Sequence, residues 1–251
     1  MRKSFFLTAL ASAAILSAQT TKKLSPVKSK AAVVRSAPAR TNPLLVKVND
    51  SVPALIPQKK NGLYGYINQR GKVMIRHQFT NAGFFYEDCN LLNSPNEKVK
   101  KYGSDKYASV RDATGDYRID ASGRKIYKFK DADLAQCGSE FKKQLYHAYI
   151  KNGFYGIIED AKFENEADYR QYQIFPQYDY LHIMEGDDLN NPMIIASYQN
   201  RFGVIDKNNK VVIPFEYADI KRNFSWKIGR LFEVTKDHKN YYFVDEKNHA
   251  Y

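Results

Sequence analysis

Tryptophan is almost missing from this chain: Trp226 stands alone in 251 residues. Cysteine is nearly as scarce, with only Cys89 and Cys137. One pair cannot be the main scaffold of a domain as long as residues 53–251, which is large enough to bury its own core. The spacing of the two carries no metal signature, and the sequence leaves their pairing open. The five histidines (His77, His147, His182, His238 and His249) form neither HxxxH nor HExxH. No glycine-rich phosphate loop and no nucleophile elbow occurs. After residue 18, no apolar run approaches the roughly 20 residues of a transmembrane helix. No segment has a sustained helical period; the best candidate, SEFKKQLY at 139–146, is short. These absences argue against zinc hydrolases of the HExxH kind, P-loop nucleotide enzymes and membrane-spanning bundles.

The first residues, MRKSFFLTALASAAILSAQ, read as a secretory signal at 1–18. Arg2 and Lys3 give the positive start, Phe5 to Ile15 the apolar core, and Ser17 and Ala18 the small residues before cleavage. An uncleaved anchor helix would need a longer run. No cysteine sits near the cleavage point to carry a lipid. The expectation is an exported chain, periplasmic or extracellular, with no transmembrane span once mature. Export makes a Cys89–Cys137 disulfide chemically possible.

The net charge of +12 is unevenly spread. The signal carries +2 and residues 19–58 carry +6, which leaves +4 for the rest. The stretch TTKKLSPVKSKAAVVRSAPARTNP is rich in Lys, Ala, Ser and Pro and has too little apolar surface to offset the entropy of ordering. Residues 19–52 therefore read as a disordered basic linker, either a solvated spacer or a tether to an anionic surface. With no recognisable binding motif, nucleic acid is not an expected partner.

A repeated phrase organises the remainder. Aligned on one apolar residue, it recurs at Ile67, Ile119, Ile158, Ile205 and Val244, at separations of 52, 39, 47 and 39 residues. Each copy opens with a short β-type run such as Ile195–Tyr198 and passes a polar turn such as KNG at 151–153. A second run follows: YGYIN, DYRID, YGIIED, FGVID and YYFVDE. Most copies continue through another turn into a third run, as in KVMIRHQF and KVVIPFEY. Alternation with β-branched and aromatic residues marks strands. Asn and Gly in the turns suit tight hairpins. A three-stranded meander cannot bury its apolar face alone, so the units must pack on one another. The fold expected is all-β: about five β-meander repeats, near 53–85, 105–134, 145–181, 193–220 and 230–251, as an open curved stack or a small propeller-like arrangement.

The order aromatic, Gly, aromatic or apolar, Ile, Asp or Asn, polar turn, Lys, then an apolar run ending in Ile-Pro resembles the WG-repeat proteins. RFGVIDKNNKVVIPFEYAD at 201–219 is the closest unit; NGLYGYINQRGKVMIRHQF at 61–79 and NGFYGIIED at 152–160 follow. The resemblance runs over residues 53–251. The family's naming tryptophan is absent from every unit, where Tyr64, Asp116, Tyr155, Phe202 and Tyr241 stand. Its glycine survives as Gly65, Gly156 and Gly203 but is Tyr117 and Tyr242 in the second and fifth units. The resemblance implies an all-β repeat protein of exported bacterial type and no established catalytic activity, so no catalytic residue carries over.

Residue by residue, structural readings lead. The glycines read as places of close backbone approach. Asn68, Asp120, Asp160, Asp206 and Asp245 read as turn caps, against a ring of cation-binding carboxylates. His182, Glu185, Asp187 and Asp188 in HIMEGDD are the only local cluster of metal-ligand types, and a solvated acidic loop explains them better. DATGDYRIDASG at 112–123 lacks the ligand order of an EF-hand. Neither cofactor nor metal is expected. Trp226 with Phe224 and Arg230 forms a candidate partner contact; a core plug between units explains Trp226 equally well. The insertions at 86–104 and 161–172 read as loops, and with 185–191 they are where a site would lie. The expected function is an exported, non-catalytic binding or scaffold module for a protein or envelope glycan. The rivals are a hydrolase-like enzyme with its site in inter-repeat loops and a purely structural envelope component.

Overall fold

The computed structural model describes residues 51–138, 144–163, 171–184 and 189–251. The signal segment, nearly all of the basic linker, most of SEFKKQLY and of the 161–172 insertion, and Glu185, Asp187 and Asp188 lie outside them. The described residues form five antiparallel sheets in a tandem array. Sheet 1 holds β1 (Ile56–Lys60), β2 (Leu63–Ile67) and β3 (Val73–Phe79). Sheet 2 holds β4 (Asn81–Phe85), β5 (Ala108–Asp112), β6 (Gly115–Ile119) and β7 (Lys125–Phe129). Sheet 3 holds β8 (Tyr146–Lys151), β9 (Phe154–Glu159) and β10 (Tyr172–Tyr178). Sheet 4 holds β11 (Tyr180–Ile183), β12 (Ile194–Tyr198), β13 (Arg201–Ile205) and β14 (Val211–Tyr217). Sheet 5 holds β15 (Asp219–Ile220), β16 (Phe232–Thr235) and β17 (Tyr241–Val244), with a bridge from Val244 to Ala250 where other units have a third strand.

The turns account for these hairpins. Asn61-Gly62, Asn152-Gly153 and Gln199-Asn200 all have positive φ at both positions, as a two-residue turn needs to match strand twist. At the second turn the acidic or amide residue after each anchor binds the backbone two and four residues on. Asn68 Oδ1 accepts from the amides of Arg70 and Lys72, and Asp120 Oδ1 from those of Ser122 and Arg124. Asp206 does the same with Asn208 and Lys210, and Asp245 with Lys247 and His249. Asp160 differs: it opens a 3-10 turn and meets His147 Nε2 at 2.8 Å.

Gly65, Gly156 and Gly203 meet the third strand of their own sheet. A Cβ on Gly65 would lie 2.5 Å from Ile75 O; on Gly156, 2.6 Å from Ile174 O; on Gly203, 2.7 Å from Ile213 O. At all three the register slips. Tyr64 and Tyr66 face Phe79 and Ile75, Tyr155 and Ile157 face Tyr178 and Ile174, and Phe202 and Val204 face Tyr217 and Ile213. Two residues on the second strand thus span four on the third, and the extra residues bulge over the glycine. Where Tyr117 replaces the glycine, Asp116, Tyr117 and Arg118 pair with Phe129, Lys128 and Tyr127 without a shift. The bulged strands β3, β10 and β14 run seven residues and β7 runs five.

After the glycine position come two residues on opposite faces, and they join opposite neighbours. Tyr66 packs in a core with Ile119, Ala108 and Val110 of sheet 2. Ile157 packs with Ile205, Ile194 and Ala196 of sheet 4, and Val204 with Val244, Phe232 and Val234 of sheet 5. Phe243 packs on Ile67 and Ile56 of sheet 1, with Leu231 and Phe84. The forward faces of sheets 1, 3 and 4 therefore meet the next sheet's rear face, and sheet 5 meets sheet 1. No such core joins sheet 2 to sheet 3 among the described residues. Three junctions are also tied by the backbone. One residue after β3, β10 and β14 the chain enters the next sheet, with Thr80 N–H donating to Arg111 O, Asp179 to Ser197 O and Ala218 to Thr235 O. Sheet membership thus departs from the sequence frame: Asn81–Phe85, Tyr180–Ile183 and Asp219–Ile220 pair with the following unit.

Gly203→Ala should lower unfolding stability by about 2 kcal/mol, because the methyl group overpacks against fixed backbone. Gly83→Ala, where the nearest atom is 3.6 Å away, should leave it within about 0.5 kcal/mol. Paired denaturant titrations read both; equal effects would refute the bulge explanation.

Candidate functional site

The repeat phrase breaks in two places that build local structure. The first is the insertion at 86–104, which is not simply a loop. It carries α1 (Cys89–Leu92), α2 (Glu97–Lys100) and a 3-10 turn at 101–103. Asp88 Oδ1 caps α1 by accepting from the amides of Asn90 and Leu91, and Asn96 Oδ1 caps α2 by accepting from Lys98. Such caps are a sequence-level signal, and the four-residue helices they open are too short to show a helical period. Leu91 and Val99 are buried. Cys89 pairs with Cys137 at a Cα separation of 5.2 Å. That bond ties the insertion to the segment after β7, where Ala135 N–H also donates to Asn90 O.

Arg118 fastens the insertion from below. It stands where the forward-facing apolar residue belongs, and only 2% of it is exposed. Its Nε donates to Tyr102 O at 2.8 Å and its Nη2 to Ser104 O at 2.9 Å and Tyr86 O at 3.2 Å. Nη1 donates to Ser109 Oγ at 2.9 Å and lies 3.7 Å from Asp88 Oδ2. Burial pulls its pKa down to about 10, with the nearby Asp88 carboxylate opposing; the guanidinium stays charged at neutral pH. Tyr102 stacks on Tyr127 of β7 at 4.3 Å. Sheet 2's forward face is thus covered by its own insertion.

The second break is the segment between β15 and β16, containing α3 (Ser225–Gly229). Trp226, Phe224 and Arg230 do not form one surface patch. Trp226 is 2% exposed and stacks on Phe232 at 4.5 Å in the core between sheets 4 and 5. Arg230, left-handed at the helix end, lays its guanidinium over the Trp226 ring at 4.8 Å. Trp226 as a partner contact is therefore corrected: its large apolar ring stabilises the core. Phe224 alone faces outward, 57% exposed.

Phe224 borders a groove of about 570 Å³ at the seam of sheets 1 and 5. Gln58, Lys59 and Tyr64 line it from sheet 1, Asn81 and Gly83 from β4. Opposite stand Asn223, Glu233, Lys221, Lys239 and Tyr241. Asn223 Nδ2 donates to Glu233 Oε2 at 2.6 Å, and its Oδ1 accepts from Ser225 N–H. Lys221 Nζ lies 3.2 Å from Glu233 and 4.3 Å from the Tyr241 ring centre. The hydrogen bond Tyr241 donates to Asp219, at 2.7 Å, pushes its pKa up to about 12, with burial adding. Burial and then the bond to Asp245 push Tyr251 up to about 12 as well, so both phenols are protonated at neutral pH. Ser225, also lining the groove, is buried and its hydroxyl makes no hydrogen bond. Among the described residues no group of three or more His, Cys, Asp or Glu is placed to hold a metal ion, and no helix is long and apolar enough to cross a membrane.

The family model described as WG containing repeat matches residues 64–89 and 202–225. These are the bulged glycine units of sheets 1 and 4 with the segments that follow, and the chain is a WG-repeat containing protein. No curated protein and no solved structure matches it.

Arg118→Leu should cost about 3–5 kcal/mol, since it strands the insertion's carbonyls and the Asp88 carboxylate. Reduction of the disulfide, which spans 48 residues, should cost up to about 4 kcal/mol on the loop-entropy account. Both should speed proteolysis within 86–104 before the sheets are cut. Limited digestion with mass mapping checks the order, and first cuts elsewhere would refute the anchoring role.

Proposed function

We propose that the protein is an exported, non-catalytic binding or scaffold module that presents its β-repeat array to a protein or envelope glycan. The groove at the seam of sheets 1 and 5 carries this reading. It combines an exposed aromatic ring, amide side chains and lysines in a volume suited to a ligand. The repeat supports the module half: its recurring features are packing and turn devices, so variable chemistry is free to sit at the seam. The signal-like start and the basic segment supply the exported setting and a tether.

Pull-down from an envelope fraction with the mature chain should recover a saturable partner. Recovery should persist when residues 19–50 are deleted and fall when groove residues change. Loss on deleting the basic segment alone would move the weight to electrostatic adhesion. Turnover that survives purification, and vanishes on changing one polar side chain, would overturn the non-catalytic reading.

A further inference from the structure

We infer that this groove binds an acidic oligosaccharide, a sugar chain carrying carboxylates. The inference rests on the binding-module reading and names the class of its ligand. Sugars show an apolar C–H face and a ring of hydroxyls. The groove offers a match to each: the exposed Phe224 ring and Tyr241 for the face, and for the hydroxyls the donors and lone pairs left on the carboxamides of Gln58, Asn223 and Asn240, which also bond His77, Glu233 with the Ser225 amide, and Asp237.

Charge selects among sugars. Lys221 is answered by Glu233. Lys59 and Lys239, exposed on opposite walls, join no ion pair among the described residues. Two walls that each present an ammonium without a carboxylate partner, that of Lys59 resting 5.6 Å from the Tyr64 ring centre, favour a ligand with spaced negative charges. A neutral sugar would leave both idle.

An extended peptide suits the groove less well. Strand addition needs a continuous run of free backbone groups. Pro57 removes a donor from β1, the edge strand on the groove. On β17, Phe243 O already accepts from Tyr251 N–H at 2.9 Å, and Val244 is bridged to Ala250. On β4, Gly83 O is taken by the Tyr66 hydroxyl at 2.7 Å.

Calorimetric titration of the mature chain with a short oligogalacturonate, its methyl ester and a polyglutamate peptide tests this. The acid should bind, the ester about tenfold more weakly, and the acid's affinity should fall with salt. Phe224→Ala should weaken both sugars about tenfold without moving the thermal midpoint, because the ring is exposed. Lys59→Gln combined with Lys239→Gln should erase the difference between acid and ester. Equal binding of acid and ester, polyglutamate binding as tightly as the sugar, sugar binding untouched by all these variants, or no sugar binding at all would each overturn the inference. None of those results touches the module reading, which stands or falls on the partner recovered from the envelope fraction.

Discussion

A missing side chain sets the geometry of this array. At Gly65, Gly156 and Gly203 the third strand's backbone lies where a Cβ would sit, so its extra residues arch over the second strand instead of pairing along it. The arch returns to register at Phe79, Tyr178 and Tyr217, which stand opposite Tyr64, Tyr155 and Phe202. That places an isoleucine and an aromatic from the third strand on the face that already carries Tyr66, Ile157 or Val204. A broad apolar forward face results, and the next sheet's rear face covers it. Each unit is thereby made dependent on the next.

The match between faces is specific to each junction. Tyr178 donates to Asn209 Oδ1 at 2.6 Å and Tyr217 to Asn248 Oδ1 at 2.5 Å, each reaching a left-handed turn residue of the following sheet. At the first junction the aromatic is Phe79, which has no hydroxyl, and the corresponding turn residue is Gly123, also left-handed. A Cβ there would meet Ile75 at 2.9 Å. Polar aromatic goes with amide and apolar aromatic with glycine, so hydrogen-bonding capacity is not left unmet. Sheet 2 shows the opposite arrangement. Without glycine there is no bulge at that position, and the one register shift left falls between Arg118 and Ile119; with Arg118 in the apolar position there is no apolar forward face to dock. The same guanidinium that prevents stacking gathers three carbonyls of the insertion, so one substitution ends the stack and secures its cover.

Much of the fold was legible because its signals are local. Asn-Gly turns, alternating strands and the recurring anchor required no knowledge of distant contacts, and all five anchors are buried. The glycines, too, could be read as sites of close approach. What escaped the sequence depends on partners far along the chain. That Asn81–Phe85 leaves its own unit is decided by pairing with β5, and nothing in NAGFF says so. Cys89 and Cys137 could be named as a pair only once the capped turns of the insertion set their separation. Arg118 is a charged residue inside an otherwise apolar doublet (Tyr-Ile, Ile-Ile, Val-Ile, Phe-Val), a local clue whose meaning depends on the distant carbonyls that it gathers. Trp226 and Phe224 are two residues apart and fare oppositely, since Trp226 turns into the core on a helix of one turn while Phe224 precedes it.

The groove lies at the seam for a reason that follows from connectivity. Where sheets 1 and 2, 3 and 4, and 4 and 5 meet, the chain itself crosses within one residue and a backbone hydrogen bond pins the crossing. Sheets 5 and 1 have no such crossing strand; among the described residues side chains alone join them, Phe243 and Leu231 against Ile67 and Ile56, with Phe84 of sheet 2 beside Phe243 at 5.2 Å. An interface held by a small apolar patch can be tight at its centre and open at its rim, and the rim is where Phe224, Lys59 and Lys239 stand. Packing demands on the repeat phrase are strict, but they do not reach these rim positions. A molecule lodged there would touch sheets 1, 2 and 5 at once, adding contacts to the junction that has the fewest backbone ties. Its binding should therefore also stiffen the seam.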